Sequence, residues 1–158
     1  MTTTLTTITD RVEAFLMDGD NRIWDAQVIA ECARLALGAY NLALEAGGGA
    51  VTPVTLAGLD GAALTSLPVN HEVLVVLGAA GFAALARSAD RAESFELNNE
   101  ARDLYHWGGE RLAQFFAGLA LLFPPGKAGQ AARLAGLQTA VSVPWAAWDS
   151  DESSSEVS

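Results

Sequence analysis

Apolar residues recur at helical spacing in four stretches of this 158-residue chain. In the first stretch, Ile8, Val12 and Phe15 share one face of a short helix. Thr7, followed by an acidic residue three positions later, is typical of a capping box, and Gly19 is a suitable helix end. The sequence therefore predicts a first helix that starts after Thr7.

The second stretch has a well-specified start. Asp25 is a favourable N-cap, and Trp24 and Ile29 occupy the two positions of a hydrophobic staple. An apolar face then continues to residue 44, with Asn41 among the positions predicted to face solvent, and the glycines at 47–49 end the helix. Trp24 is accordingly predicted to be a structural packing residue.

The third stretch runs from about Asn70 to about Glu93 and is predicted to be the central packing helix. Its uncharged run, residues 73–86, is shorter than the roughly 20 apolar residues that a bilayer span requires. Gly78 and Gly81 within this run allow another helix to approach closely.

The fourth stretch begins near residue 98 and ends at the prolines of positions 124 and 125, which cannot continue a helix. Trp107 lies on this helix and is followed by Gly108. A glycine inside a helix costs about 1 kcal/mol relative to alanine. We therefore expect Trp107 to be a packing residue and Gly108 to mark a close backbone contact or a kink.

Between the second and third helices, residues 50–67 lose the helical period and contain the turn signal Asp60-Gly61. This segment is predicted to be a short β-hairpin or an ordered loop excursion. Four helices with short connections predict an all-α fold, an antiparallel four-helix bundle over residues 1–123. Residues 124–158 are predicted to form an extended C-terminal tail with an acidic low-complexity end.

The charge balance is strongly acidic, with 19 Asp and Glu against 9 Lys and Arg and a net charge of -10. No cluster of basic residues is present to bind phosphates, which argues against tight nucleic-acid binding but permits DNA to pass without sticking. A single cysteine, Cys32, excludes an intramolecular disulfide. The first residues lack a basic region followed by an apolar one, so we expect cytoplasmic synthesis.

Candidate catalytic and metal-binding residues are few. His71, His106 and Cys32 belong to no recognisable metal motif, and no serine lies in a nucleophile elbow. The glycines at 47–49 follow a helix, where the helix dipole has the wrong sign for an anion. We therefore predict a protein that is not an enzyme and that uses no metal or cofactor.

The exit of the third helix is rich in charges of both signs, including Arg87, Arg91, Glu96 and Asp103. These residues are predicted to form solvated or intersubunit ion pairs. Exposed pairs of this kind contribute only about 0 to 1 kcal/mol each.

Two tryptophans, Trp145 and Trp148, lie beyond the four predicted helices and follow Val143 and a proline. Their large apolar area needs a surface to cover it. Either they fold back onto their own bundle, or they anchor in another subunit or protein, where tryptophan is a favoured hot-spot residue.

In outline, the chain resembles the head-tail connector (adaptor, or neck) proteins of bacteriophages. The resemblance covers residues 21 to about 121. It is carried by the Trp-led second helix, the central helix, its charged exit and the last helix, which read NRIWDAQVIAECARLALGAYNLAL, LPVNHEVLVVLGAAGFAALAR, DRAESFEL and LYHWGGERLAQFFAGL.

This resemblance implies a structural virion protein that assembles in the bacterial cytoplasm into a homo-oligomeric ring of about twelve subunits. The ring would bind the portal protein on one side and a tail or further neck protein on the other. It would continue the DNA channel for packaging and ejection, and an acidic lumen would repel the phosphates of passing DNA. The family also implies that the C-terminal segment, here residues 130–148, reaches toward the portal.

A second interpretation comes from a different class of protein. A small acidic helical bundle also suits a dedicated chaperone or regulator that binds a single protein partner. Neither interpretation involves catalysis, and the two differ in assembly, since a connector forms a high-order ring and a chaperone forms a small complex.

Overall fold

The computed structural model describes residues 3–19, 22–48, 52–93 and 99–124, and this part of the chain is all-α. Helix α1 spans Leu5–Phe15, α2 Ala26–Gly48, α3 Glu72–Glu93 and α4 Asn99–Leu122. A single 3-10 turn, Val69–His71, leads directly into α3.

Helix α1 starts earlier than its sequence predicts. The N-cap is Thr4, whose hydroxyl accepts a hydrogen bond from the backbone N–H of Thr7 at 3.3 Å, so Thr7 lies inside the helix. The cap therefore lies three residues before Thr7, and both positions carry threonine, which is a competent N-cap. Ile8 and Val12 are fully buried, whereas Phe15 is 44% exposed.

Helix α2 starts where its sequence predicts. The Asp25 carboxylate accepts a hydrogen bond from the backbone N–H of Gln27 at 2.7 Å, and the Asp25 carbonyl accepts one from Ile29. Just before this cap, the indole N–H of Trp24 donates to the backbone carbonyl of Ala83 on α3, with a separation of 3.0 Å. The beginning of α2 is thereby fixed to the middle of α3.

Helix α3 is central, because it packs against each of the other three helices and most extensively against α4. The α3–α4 contacts run in opposite directions along the two helices: Gly78 lies against Phe115, Gly81 against Leu112, and Gly108 of α4 against Ala84. The two helices are therefore antiparallel.

Residues 52–68 form an ordered loop and contain no strand in the described part of the segment, so the loop alternative holds over the hairpin there. The turn at its tip places Gly58, Asp60 and Gly61 at positive φ, which favours glycine. The loop is held to α2 by Asn41, whose side-chain amide donates to the carbonyl of Val54 at 2.9 Å and accepts from its N–H at 2.7 Å. The prediction that Asn41 faces solvent is wrong, because this amide substitutes for a backbone partner of the loop.

Residues Val69–Arg91 are long and apolar enough, by length and composition alone, to cross a membrane. Half of the most apolar window is buried inside the protein, where α3 contacts α1, α2 and α4. The core helix of a globular protein meets the same criterion, so this feature is weak evidence for a membrane span.

Candidate protein-interaction surfaces

The residues predicted to pack the helices lie at two contact regions. Trp24 is 6% exposed at the α2–α3 contact. At the α3–α4 contact, a Cβ on Gly78 would lie 2.9 Å from the Phe115 ring, and one on Gly81 would lie 2.8 Å from Leu112 Cγ. A Cβ on Gly108 would lie 3.0 Å from the Ala84 Cβ and 3.1 Å from the Gly81 carbonyl oxygen. These three glycines therefore set how closely α3 and α4 approach.

Trp107 is partly buried on α4 and bridges to α1. Its ring centroid lies 5.8 Å from that of Phe15, and the guanidinium of Arg111 lies over the indole at 5.2 Å. The neighbouring His106 is exposed and contacts the ring of Tyr105. Trp107 thus links two helices that share few other contacts.

The charged residues at the end of α3 and the start of α4 lie together at one end of the α3–α4 pair. Arg87 is partly exposed and forms a 3.5 Å ion pair with Asp90 one turn later on the same helix. Arg91 is partly buried near the end of α3, and Asp103 is exposed near the start of α4. Glu96 lies outside the described residues. The antiparallel packing therefore brings three of the four predicted charged residues to one end of the protein.

The remaining predicted interface residues, Val143, Trp145 and Trp148, lie outside the described residues, as does nearly all of the predicted extension over residues 124–158. The described chain ends at Pro124, immediately after Phe123. The Phe123 ring meets that of Tyr40 edge to face at 5.2 Å, so the described chain ends against the C-terminal half of α2.

Helix α2 presents an exposed apolar face beside the stripe that it buries in the core. Val28, Leu35 and Leu42 are 39%, 56% and 38% exposed. They are spaced seven residues apart, so they share one face. We refer to Val28, Leu35 and Leu42 as the α2 stripe.

A second apolar surface lies at one end of the α3–α4 pair. Val69 and Val73, one turn apart, are each 73% exposed, and Leu121 near the end of α4 is 84% exposed. Because Leu74 of α3 contacts Gly118 of α4, all three residues belong to the same end of the protein. We refer to Val69, Val73 and Leu121 as the end patch.

Asp18 is a buried carboxylate that organises the turn between α1 and α2. It accepts hydrogen bonds from the backbone N–H groups of Arg22, Ile23 and Trp24 at 3.0, 3.0 and 2.8 Å. Burial raises the pKa of this carboxyl, but these three donors together with the charge of Arg22 outweigh burial, and the net pKa lies below the usual value. Asp18 is therefore ionised in the folded protein, and its carboxylate holds the backbone of the residues that lead into Trp24.

Glu72 is a second buried carboxylate, 1% exposed in the first turn of α3. Its Oε2 forms an ion pair with Arg11 of α1, whose side chain is half exposed. Its Oε1 has no hydrogen-bond partner among the described residues. Beside it, His71 Nδ1 is hydrogen-bonded to the hydroxyl of buried Tyr40 at 2.6 Å, and burial raises the pKa of Tyr40.

Within the described residues, no group of three or more His, Cys, Asp and Glu side chains is placed to hold a metal ion. Cys32 is 4% exposed, and burial, reinforced by the charge of Glu31, raises its pKa to about 11. An open groove of about 430 Å³ runs between α2 and the loop. There Arg34 is neutralised by Glu31 at 2.8 Å and by Asp60 at 2.7 Å.

The structural roles of Asp18, Glu72 and Asn41 do not follow from the sequence pattern. Each is a polar residue whose partner is a backbone group or a side chain on another element, so helical periodicity carries no signal of it. For Glu72, the only local sign was an acidic residue in a first helical turn, which is common on exposed helices.

Comparisons with models of protein families, with curated proteins and with solved structures gave no match to this chain.

Proposed function

We propose that this chain is a structural, ring-forming subunit of a bacteriophage neck, located in the virion between the portal and the tail. In this proposal the chain is not an enzyme, binds no cofactor, and lets DNA pass through the ring lumen without specific binding. The finer architecture proposed for the subunit is an antiparallel four-helix bundle.

The observation that carries the proposal is the separation of two exposed apolar surfaces on one small helical protein. The α2 stripe lies along the length of α2, and the end patch lies at one end of the α3–α4 pair. A heterologous contact that closes into a ring joins two different surfaces of each subunit. Exposed apolar residues in separate places are therefore what a ring subunit needs before assembly.

The role of α3 supports the same proposal. The stretch that resembles the central helix of connector proteins is the helix against which the other three pack. Buried glycine and alanine positions on α3 and α4 let these two helices pack closely, which supports a structural role for this pair.

The charge of the chain supports a channel whose lining does not bind DNA phosphates tightly. The net charge is -10, and the basic side chains Arg11, Arg34 and Arg87 are each paired with a carboxylate. Paired cations on an acidic surface leave little attraction for phosphate groups.

The test combines the particle with the purified protein. Quantitative mass spectrometry of purified phage particles should find the chain at about a dozen copies, in a fixed ratio to the portal protein. Absence from particles, with the protein free in the lysate, would reject the connector. Recovery as a one-to-one complex with another protein would support a chaperone or regulator.

Variants of the full chain identify the contacts of the ring. Val73→Asp with Leu121→Asp should prevent ring formation in analytical ultracentrifugation, because a carboxylate would be buried at the subunit contact. Leu64→Asp makes the same chemical change at a loop position that is 76% exposed, and should leave assembly intact. Trp145→Ala with Trp148→Ala should weaken assembly while helix content stays unchanged.

A further inference from the structure

A groove runs along α2 beside the α2 stripe. Its larger part, of about 430 Å³, lies between Arg34 and Asn41 of α2 and the facing loop. Its smaller part, of about 240 Å³, lies further along α2 and is lined by Asn41, Leu42 and Pro53. Gly38 lines both parts, so they are continuous there. We refer to this feature as the α2–loop groove.

Gly38 leaves the helix backbone open in the middle of the groove. Glycine is unfavourable inside a helix. Gly38 is exposed, and a Cβ on it would meet nothing within 4 Å, so packing within one copy does not require a glycine here. It lies three residues after Leu35 and four before Leu42, which places it beside the α2 stripe. The groove therefore has room for an apolar side chain that enters from outside.

The groove faces away from the end patch of its own copy. Tyr40 lies two residues after Gly38, which is about 200° around the helix axis. The ring of Tyr40 contacts those of His71 and Phe123, which are sequence neighbours of the end-patch residues. The end patch thus lies on the other side of α2 from Gly38. An end patch that enters the groove therefore belongs to another copy.

The end patch has the complementary shape. Val73 is 73% exposed and Leu121 is 84% exposed, so both side chains protrude. A protruding apolar side chain that enters a groove removes apolar area on both sides from water. Neither the groove nor the end patch can do so within one copy.

The charges around the two surfaces are also compatible. In the groove, Arg34 is paired with both Glu31 and Asp60, which leaves an excess negative charge. Glu45, which is exposed, lines the smaller part. The end patch lies in an uncharged half of the α3–α4 pair, since residues 73–86 and 112–124 contain no charged side chain. Its helices therefore bring no carboxylate against the acidic rim of the groove.

The same charges disfavour a symmetric contact between two α2 helices. Glu31 and Glu45 each lie seven residues from Gly38, one on either side. Two α2 helices that meet at Gly38 would therefore place carboxylate opposite carboxylate, whether they run parallel or antiparallel. Like charges held opposite each other at an interface are unfavourable.

We propose that Val73 and Leu121 of one copy insert into the α2–loop groove of the next copy, against the backbone of Gly38. The contact joins two different surfaces, so each copy offers a groove to one neighbour and an end patch to another. The inference deepens the proposed function by naming the paired surfaces of the ring contact, and it rests on that function because it requires copies of the chain to associate.

Cross-linking of two full-length variants tests the pairing. Gly38→Cys and Leu121→Cys are each prepared in a Cys32→Ala background, mixed, and treated with a short bis-maleimide. The mixture should give a cross-linked dimer that contains one copy of each variant, and neither variant alone should do so. Met17→Cys, at a position that is 91% exposed in the turn after α1, replaces Leu121→Cys as the control and should give no such dimer.

A matched pair of glycine substitutions separates binding from folding. Gly38→Leu fills the groove and should raise the dissociation constant of self-association at least about ten-fold in analytical ultracentrifugation. Its helix content and thermal midpoint should not fall, because the new side chain meets nothing within its own copy. Gly109→Leu makes the same change at another helical position whose Cβ meets nothing within 4 Å, and should leave association unchanged.

The outcomes distinguish this contact from the proposed function. Rings that form without the Gly38→Cys to Leu121→Cys cross-link, or that tolerate Gly38→Leu, would overturn the contact and leave the phage neck standing. Cross-links between two Gly38→Cys copies would overturn it in favour of α2 pairing. The expected cross-link in a protein that is absent from phage particles would retain the contact and reject the neck. A monomer that is also absent from particles would overturn both.

Discussion

The indole N–H of Trp24 donates a hydrogen bond to the backbone carbonyl oxygen of Ala83 across 3.0 Å, joining residues 59 positions apart. Trp24 is held from the other side by its own backbone N–H, which donates to the carboxylate of Asp18. One residue thus couples the turn after α1, the start of α2 and the middle of α3. Because α3 contacts every other helix, this hydrogen bond adds to the packing that holds α2 in place within the fold.

Trp24→Phe should therefore destabilise the protein only moderately. The ring volume is largely kept, and the Ala83 carbonyl still lies in α3, so the loss is close to one neutral hydrogen bond, about 0.5 to 1.5 kcal/mol. Urea unfolding followed by circular dichroism measures the change. Trp24→Ala should cost about 3 to 5 kcal/mol, because it also leaves a cavity. Equal effects of the two substitutions would show that the hydrogen bond, and not the packing, dominates.

The adjacent glycines Gly108 and Gly109 should respond in opposite directions to the same substitution. A Cβ at Gly108 would press on the Gly81 carbonyl at 3.1 Å and on Ala84, whereas a Cβ at Gly109 meets nothing within 4 Å. Gly108→Ala should destabilise the protein by about 1 to 3 kcal/mol through overpacking. Gly109→Ala should stabilise it by up to about 1 kcal/mol through helix propensity.

Thermal unfolding of the two alanine variants, with the double variant as a check on additivity, measures this contrast. A stabilising Gly108→Ala would mean that α3 and α4 can separate without cost. Gly81→Leu extends the same test to the facing helix, where its side chain would meet Leu112 at the closest approach.

The all-α fold can be predicted from the sequence because helical periodicity and helix-end signals are local. The Asp25 cap, the glycines at the end of α2 and the prolines after α4 each act within about one turn of the helix end that they mark. Thr4 and Thr7 show the limit of such signals. Both are competent caps, and the choice of Thr4 depends on the distant loop, where Ala57 accepts a hydrogen bond from the N–H of Leu5 at 2.8 Å.

The exposed apolar surfaces are harder to predict from the sequence than the helices are. Val28, Leu35 and Leu42 have the same hydropathy as core residues, and only the arrangement of the other helices leaves them exposed. Conversely, Glu72 looks like an ordinary solvated residue, and its burial follows from the way α1 crosses the start of α3. Which apolar residues are covered is a property of tertiary packing, which one helix cannot specify.

Asp18 should make stability depend on pH in the acid range. Its pKa is lower in the folded protein than in the unfolded chain, so its contribution is complete above the unfolded value of about 3.9 and is lost as the pH falls through the folded value. Asp18→Asn should lower the unfolding midpoint at neutral pH, and the difference from the wild type should narrow as the pH falls below about 4.

The control for Asp18→Asn is Asp10→Asn, which removes the same charge at an exposed position of α1. Unfolding midpoints measured from neutral to acid pH test both variants. A constant difference between Asp18→Asn and the wild type at every pH would show that the Asp18 hydrogen bonds do not depend on its ionisation.

Arg11 and Glu72 provide the last prediction, because only one member of the pair can reach water. Arg11→Met keeps the aliphatic stem but leaves the buried Glu72 carboxylate without its cation, and should destabilise the protein by about 1 to 3 kcal/mol. Glu72→Gln should cost less, since a neutral amide tolerates burial better than an unpaired carboxylate. In urea unfolding, the double variant should lose less stability than the sum of the two single variants. Strict additivity would mean that the two side chains do not interact in solution, and that the half-exposed guanidinium remains hydrated by water.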